Sequence, residues 1–225
     1  MTVVDFEATV RSAFERALTY LSYRHRTEQE VRRNLEKRNF SVEVIDAVLV
    51  KLQDYRFVDD SRYTDDYIQI KGQGQLKGRR RIRDELLKKG IERELVESGL
   101  TAYHQENELN NALKIAQRYV REKRTLPYGQ IRGKLSTKLI GKGYDWEIIE
   151  KVMLSLDQDE EIQSFLSEAS DQVYEKALII GQKAKTRYEK KSTSYELRMK
   201  VFAYLKQQGY DNDLIQKVLA ALEVG

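Results

Sequence analysis

Two carboxylate pairs, Asp59-Asp60 and Asp65-Asp66, are the side chains in this sequence best suited to acid–base or Mg²⁺ chemistry. Adjacent positions on a helix point about 100° apart, so neither pair converges on one ion. Asp59 and Asp60 also stand where a helix needs a cap and a negative charge at its positive end, and capping accounts for them better. Asp66 is placed to face a neighbouring basic helix. The two histidines, His25 and His104, lie far apart without metal-ligand spacing and are expected at surface or helix-end positions. There is no cysteine, hence no disulfide and no thiolate chemistry. No G-x-S-x-G, H-E-x-x-H or P-loop occurs. The stretch GQGQLKG at Gly72–Gly78 lacks a following Lys-Ser/Thr and a preceding strand, and is expected to be an interhelical linker. A nuclease would need carboxylates converging from different parts of the chain. No catalytic, metal or cofactor site is assigned, and the chain is expected not to be an enzyme.

Binding signals are stronger. Residues 71 to 90 carry eight Lys or Arg against two acids, a net +6, and residues 114 to 142 carry nine against one, a net +8. Residues 157 to 171 hold six acids and no base. Arg79, Arg80, Arg81 and Arg83 fall at the start of a predicted helix, the end where cations oppose the helix dipole. A sequence shaped only for stability would put acids there, so the arginines point to a partner. Lys88 and Lys89 follow, and Arg118, Arg121, Lys123, Arg124, Arg132, Lys134 and Lys138 extend the basic character. These side chains suit phosphate contacts or an acidic protein surface. Tyr63, Tyr67, Tyr119 and Tyr128 could stack bases, but their spacing assigns them to the core first.

The elements that must carry these residues repeat. The apolar stripe Val44, Ile45, Val48, Leu49, Leu52 recurs as Ile148, Ile149, Val152, Met153, Leu156 and as Leu214, Ile215, Val218, Leu219, Leu222. A weaker copy is Leu95, Val96, Gly99, Leu100, Tyr103. Each stripe is one buried face of a helix. Each is preceded by a reversal signal: Asn39-Phe40, Gly90-Ile91, Gly143-Tyr144 or Gly209-Tyr210. Asn or Gly takes positive φ after a helix, and the apolar residue closes over the last turn. Ser41, Asp145 and Asp211 then serve as N-caps. Upstream lies a helix marked by Val31 and Leu35, Ile82 and Leu86, Ile131 with Leu135 and Leu139, or Leu197 with Val201 and Leu205. Thr27 with Glu30 makes a capping box for the first, and Pro127 and Ser194 are start signals for the third and fourth. A further helix precedes each pair, at roughly 6–24, 60–70, 106–123 and, as one long acidic connecting helix, 159–190.

The sequence therefore predicts an all-α fold of tandem three-helix repeats at 5–55, 57–104, 106–157 and 159–224, forming an elongated, curved array whose hand is not predicted. One proline, twelve glycines and 34% charged residues suit such a helical chain. No apolar run approaches the roughly 20 residues that span a bilayer, and the N-terminus lacks a signal-peptide pattern. A cytoplasmic protein with no membrane partner is expected.

The segment FVDDSRYTDDYIQIKGQGQLKGRRRIRDELLKKGI resembles the signature of the RecX family, bacterial regulators of the RecA recombinase. Asp59-Asp60, Arg62-Tyr63, Gly78-Arg79, Ile82, Glu85-Leu86 and Gly90-Ile91 carry the likeness, and LSYRHRTEQEVRRNLEKRNF resembles the family's opening repeat. The likeness is strong over 13–104 and looser beyond, and a fourth unit is what the longer family members look like. Those often carry an additional N-terminal segment; here few residues precede the first helix, and a shortened chain is expected. The resemblance implies a cofactor-free, non-enzymatic protein, and a monomer is expected. Its expected partner is RecA, engaged in the groove of the RecA–DNA filament, where it inhibits strand exchange and ATP hydrolysis, with at most weak direct DNA contact. The competing expectation is a free-standing nucleic-acid binder.

Overall fold

The computed structural model describes residues 3–103 and 105–224, and every regular element in it is helical. The helices are α1 (Val3–Leu21), α2 (Glu28–Glu36), α3 (Val42–Asp54), α4 (Asp60–Gln69), α5 (Arg79–Lys88), α6 (Arg93–Ala102) and α7 (Gln105–Lys123). They continue as α8 (Tyr128–Lys142), α9 (Trp146–Gln158), α10 (Glu160–Ser167), α11 (Ser170–Tyr188), α12 (Ser194–Gln207) and α13 (Asn212–Ala221). The chain divides into two compact units, one up to Glu108 and one from Leu109 onward. His104 lies outside the described residues.

The turn chemistry follows from the sequence. Asn39, Gly90, Gly143 and Gly209 all take positive φ, between 61° and 91°. The next residue's N–H then reaches back to close the helix: Phe40 donates to the Leu35 carbonyl, Ile91 to Leu86, Tyr144 to Leu139 and Tyr210 to Leu205. Ile91, Tyr144 and Tyr210 are buried by the same move. Thr27 and Glu30 form the reciprocal capping box that starts α2. Asp211 caps α13 through the Leu214 N–H. Ser41 and Asp145 occupy N-cap positions without a side-chain cap bond. At α12 the cap is Thr193, boxed with Glu196; Ser194 is the first helical residue.

The stripes are buried as their spacing requires. In the first unit Ala13 and Ala17 of α1, Val31 and Leu35 of α2, and Ile45, Val48 and Leu52 of α3 share one core. Ile68 of α4, Ile82 and Leu86 of α5, and Val96 and Leu100 of α6 share another. The weak stripe carries Gly99 because α4 crosses there: a Cβ would meet Ile68 Cδ1 at 2.9 Å and Thr64 Cγ2 at 3.0 Å. In the second unit α11, α12 and α13 enclose Ala177, Val201, Leu205, Ile215 and Val218, and Val120 of α7, Leu135 and Leu139 of α8 and Val152 of α9 are also buried.

Both units repeat one joint. The end of α5 abuts the start of α2: Thr27 Oγ1 donates to the Lys89 carbonyl at 2.7 Å, and Gly90 lies so close that a Cβ would sit 2.3 Å from Gln29 Cβ. The end of α12 abuts the start of α8 likewise, with Gln130 donating to the Gln208 carbonyl at 3.3 Å and Gly209 pressed on Gly129 and Gln130. A helix C-terminus thus meets a helix N-terminus, which lets opposite ends of two dipoles face each other.

Two expectations need correction. The acidic connecting helix is broken at Glu168–Ala169, giving α10 and α11 in place of one helix over 159–190. Of the expected linker Gly72–Gly78, the first half continues α4 as a π-helical turn, Ile70–Gly74. Gly72 is buried there against Tyr103, whose ring a Cβ would meet at 2.9 Å, so the turn is packed and not a loose connection.

Candidate interaction site

The α5 N-terminus is the clearest site the structure builds. Gly78 supplies no side-chain cap, and Arg79, Arg80 and Arg81 crowd the first turn. The missing acid comes from α7. Glu108, only 3% exposed, accepts the Arg79 backbone N–H at 2.8 Å. The cationic start of α5 is therefore offset by a buried carboxylate from 29 residues downstream.

The arginines themselves divide. Arg79 turns back and donates to the Leu100 carbonyl at 3.0 Å. Arg83 grips Glu97 with two bonds, 2.6 and 2.9 Å, which hold that carboxyl below the usual range. Arg81 bonds Glu85 at 2.8 Å. Burial works against the Glu85 carboxylate, yet donors from Lys77, Arg81 and Tyr67 outweigh it and hold its pKa at about 2. Burial and the bond to Glu85 push the Tyr67 hydroxyl up. Arg80 and Lys88 are exposed. Lys89 caps α5, reaches Glu30 at 3.4 Å and lies 5.6 Å from the Tyr63 ring.

The other seven predicted cations belong to the second unit, and Lys123 among them is exposed at the end of α7. Arg118 pairs with Glu122 one turn on, and Arg121 with Glu161 of α10. Arg124 covers Phe165 at 4.8 Å, and Lys138 covers Tyr119 at 4.9 Å. Arg132 and the Tyr128 hydroxyl converge on Asp157. Burial, then the Asp157 bond, pushes Tyr128 up to about 12. Lys134 reaches Gln130 at 3.0 Å. The predicted basic surface is thus partly an internal ion-pair lattice, and the acids of 157 to 171 are some of its counter-charges.

The carboxylate pairs are structural. Asp59 caps its own helix through the Arg62 N–H at 2.9 Å. Asp60 caps a different one, accepting the Glu28 N–H of α2 at 2.9 Å. Burial raises the Asp60 pKa to about 6, against that bond and with help from Glu28, Asp59 and Glu30. Tyr63 and Tyr67 stack on each other at 5.8 Å. Among the described residues no three His, Cys, Asp or Glu side chains gather as metal ligands would, and no helix is long and apolar enough to cross a membrane.

The partners Glu85, Glu97 and Glu108 escaped sequence reasoning. Glu85 alone had a local signal, its four-residue spacing from Arg81.

Fold and site together define an all-α protein of three-helix modules that concentrates basic side chains. Family models for RecX match it three times: the first three-helix domain over 13–52, the second over 59–100 and the third over 170–219. A regulatory protein RecX from Geobacillus sp. (strain WCH70) is 33% identical over 96% of this chain and 76% of its own length. Another, from Bacillus pumilus (strain SAFR-032), is 32% identical over 96% of this chain and 79% of its own. The crystal structure of RecX from Lactobacillus salivarius superposes with a TM-score of 0.63 at 26% identity, covering 68% of this chain and 99% of that one. The chain belongs to the RecX family of regulatory proteins.

Proposed function

We propose that this protein binds the RecA–DNA filament and inhibits its recombinase activity, ATP hydrolysis and extension, as a cytoplasmic, non-enzymatic regulator working without a cofactor. Family membership carries the proposal: three RecX-domain matches in order, at 13–52, 59–100 and 170–219, in a chain whose relatives are named regulatory proteins. The chain acts through four three-helix units in tandem, 5–55, 57–104, 106–157 and 159–224. Exposure narrows the contact surface: Arg79 and Arg83 are half-buried, and Arg80, Arg81 and Lys88 are the exposed cations of α5.

The test is DNA-dependent ATP hydrolysis by RecA with the protein titrated in. Wild type suppresses it. Replacing Arg80 and Lys88 together by Glu raises the concentration needed about tenfold, because each rim charge acts on encounter and register. Both are exposed, so the variant should keep its fold. Unchanged inhibition by the folded variant would remove this patch from the mechanism.

The exposed Arg118, Arg124, Lys134 and Lys138 favour a second reading, direct nucleic-acid binding without RecA. Tight binding to bare single- or double-stranded DNA with a steep salt slope would establish it. Weak binding that RecA greatly enhances favours the filament.

A further inference from the structure

The first unit holds a cleft of about 680 Å³ apart from the α5 arginines. The end of α1 and the α1–α2 loop form one wall, and α4 with the turn before it forms the other. Its apolar lining comes from Leu18, Leu21, Phe57, Tyr63, Tyr67 and Ile70. Phe57 and Ile70 are 51% and 58% exposed, an unusual investment of apolar surface in water. Four arginines, Arg24, Arg26, Arg56 and Arg62, line the same cleft with two acids, Asp59 and Asp66.

Two of these arginines are poorly explained by the fold. Arg26 lies over the Tyr20 ring at 4.3 Å, and its Nε is buried with no hydrogen-bond partner. Arg56 sits at φ 56°, where glycine or asparagine is the cheaper residue. The equivalent turn after α13 also uses a non-glycine, Glu223 at φ 52°, so the turn tolerates a side chain but does not ask for arginine. By contrast Arg24 is committed to Glu30 at 2.8 Å, and Asp59 to its cap.

We propose that this cleft is a docking site for an acidic amphipathic peptide segment of a partner protein, its apolar side chains seated on Phe57, Leu21 and Ile70 and its carboxylates met by Arg26 and Arg56. The second unit shows the same chemistry within the chain. There the acidic helix α10 is held by Arg121 on Glu161 and Arg124 on Phe165, with Ile162 buried. Nucleic acid fits the cleft less well. Tyr63 and Tyr67 already face each other at 5.8 Å, with Lys89 near both rings, so neither ring offers a base an open face to stack on. The proposal holds whichever protein carries the segment, and its test uses no RecA, so it stands or falls apart from the function proposed above.

The experiment selects peptides from a displayed random library on the whole protein, then measures soluble winners by fluorescence anisotropy on wild type, Arg56→Gly and Ile70→Asp. The expected winners combine Leu, Ile or Phe with Asp and Glu. Both variants should weaken them about tenfold or more. Arg56→Gly relieves the left-handed strain, so its melting temperature should not fall even as binding is lost. Lost binding with an unimpaired fold is a pattern that a merely structural arginine would not give. Basic winners, an empty selection, or affinities indifferent to both variants overturn the proposal. Displacement of the peptides by a short oligothymidylate, with direct oligonucleotide binding lost in Arg56→Gly, overturns it in favour of nucleic acid.

Discussion

Removing the Glu108 carboxylate should loosen the start of α5 more than any single arginine substitution there. Glu108 is buried and accepts the Arg79 N–H at 2.8 Å, at a helix end whose own N-cap, Gly78, offers no side chain. A hydrogen bond to a buried charged group contributes about 1.5–3 kcal/mol. The dipole and three first-turn arginines add about 0.5 kcal/mol or more of attraction to that carboxylate. Glu108→Ala should therefore cost about 2–3 kcal/mol, and Glu108→Gln, which keeps an acceptor, about 1 kcal/mol. Native-state hydrogen exchange reads the site directly: the amides of Arg79 to Ile82 should exchange roughly 30- to 140-fold faster in Glu108→Ala, since about 1.4 kcal/mol is tenfold. Urea unfolding should show the same order of the three proteins. An acid introduced at Arg80 should then recover part of the loss in Glu108→Ala and less in wild type, because it restores a negative charge to the first turn. Exchange and unfolding unchanged by Glu108→Ala would mean that α5 tolerates its arginines without compensation, and the stability argument for them would fail.

Other outcomes follow from the same contacts. The folded-state pKa of Asp60, about 6 against an ordinary 3.8, means the folded protein holds this proton more tightly than the unfolded chain. Its contribution is fully present below the ordinary value and is lost as pH rises through about 6. Asp60→Asn keeps an acceptor for the Glu28 N–H and should flatten the stability profile over that window; an unchanged slope would show that Asp60 does not titrate there. Gly90→Ala forces a Cβ into Gln29 at positive φ and should cost about 2 kcal/mol or more in chemical unfolding. Gly74→Ala, with nothing within 4 Å of the added Cβ, is its control and should be near neutral. Equal effects of the two glycine variants would contradict the α5–α2 joint.

Local chemistry was legible in the sequence. Asn39, Gly90, Gly143 and Gly209 announced their turns because positive φ restricts residue choice, and the stripes announced the buried faces because helical spacing is a local property. The Thr27–Glu30 box is local too, three residues across. What escaped was decided at a distance. Asp60 caps a helix 32 residues upstream, and Glu108 one 29 residues back; neither pairing has a periodicity to betray it. The break at Glu168–Ala169 contains no glycine or proline, so propensity alone carried the predicted helix through it. The π-helical turn at Ile70–Gly74 follows from Gly72 packing under Tyr103, a contact 31 residues apart in sequence. The arginine run was visible at once, but its significance was not, because charge counts do not show which guanidinium groups are held by Leu100, Glu85 and Glu97.

The central claim is that this chain regulates by binding RecA on DNA. The most direct measurement is the anisotropy of the fluorescently labelled protein titrated with RecA–single-stranded DNA filaments, with the DNA alone and with RecA alone as separate arms. Saturable binding to the filament, much tighter than to either component and accompanied by loss of RecA's ATP hydrolysis, is the predicted result. Binding to bare DNA as tight as to the filament, or no binding to the filament, would contradict it.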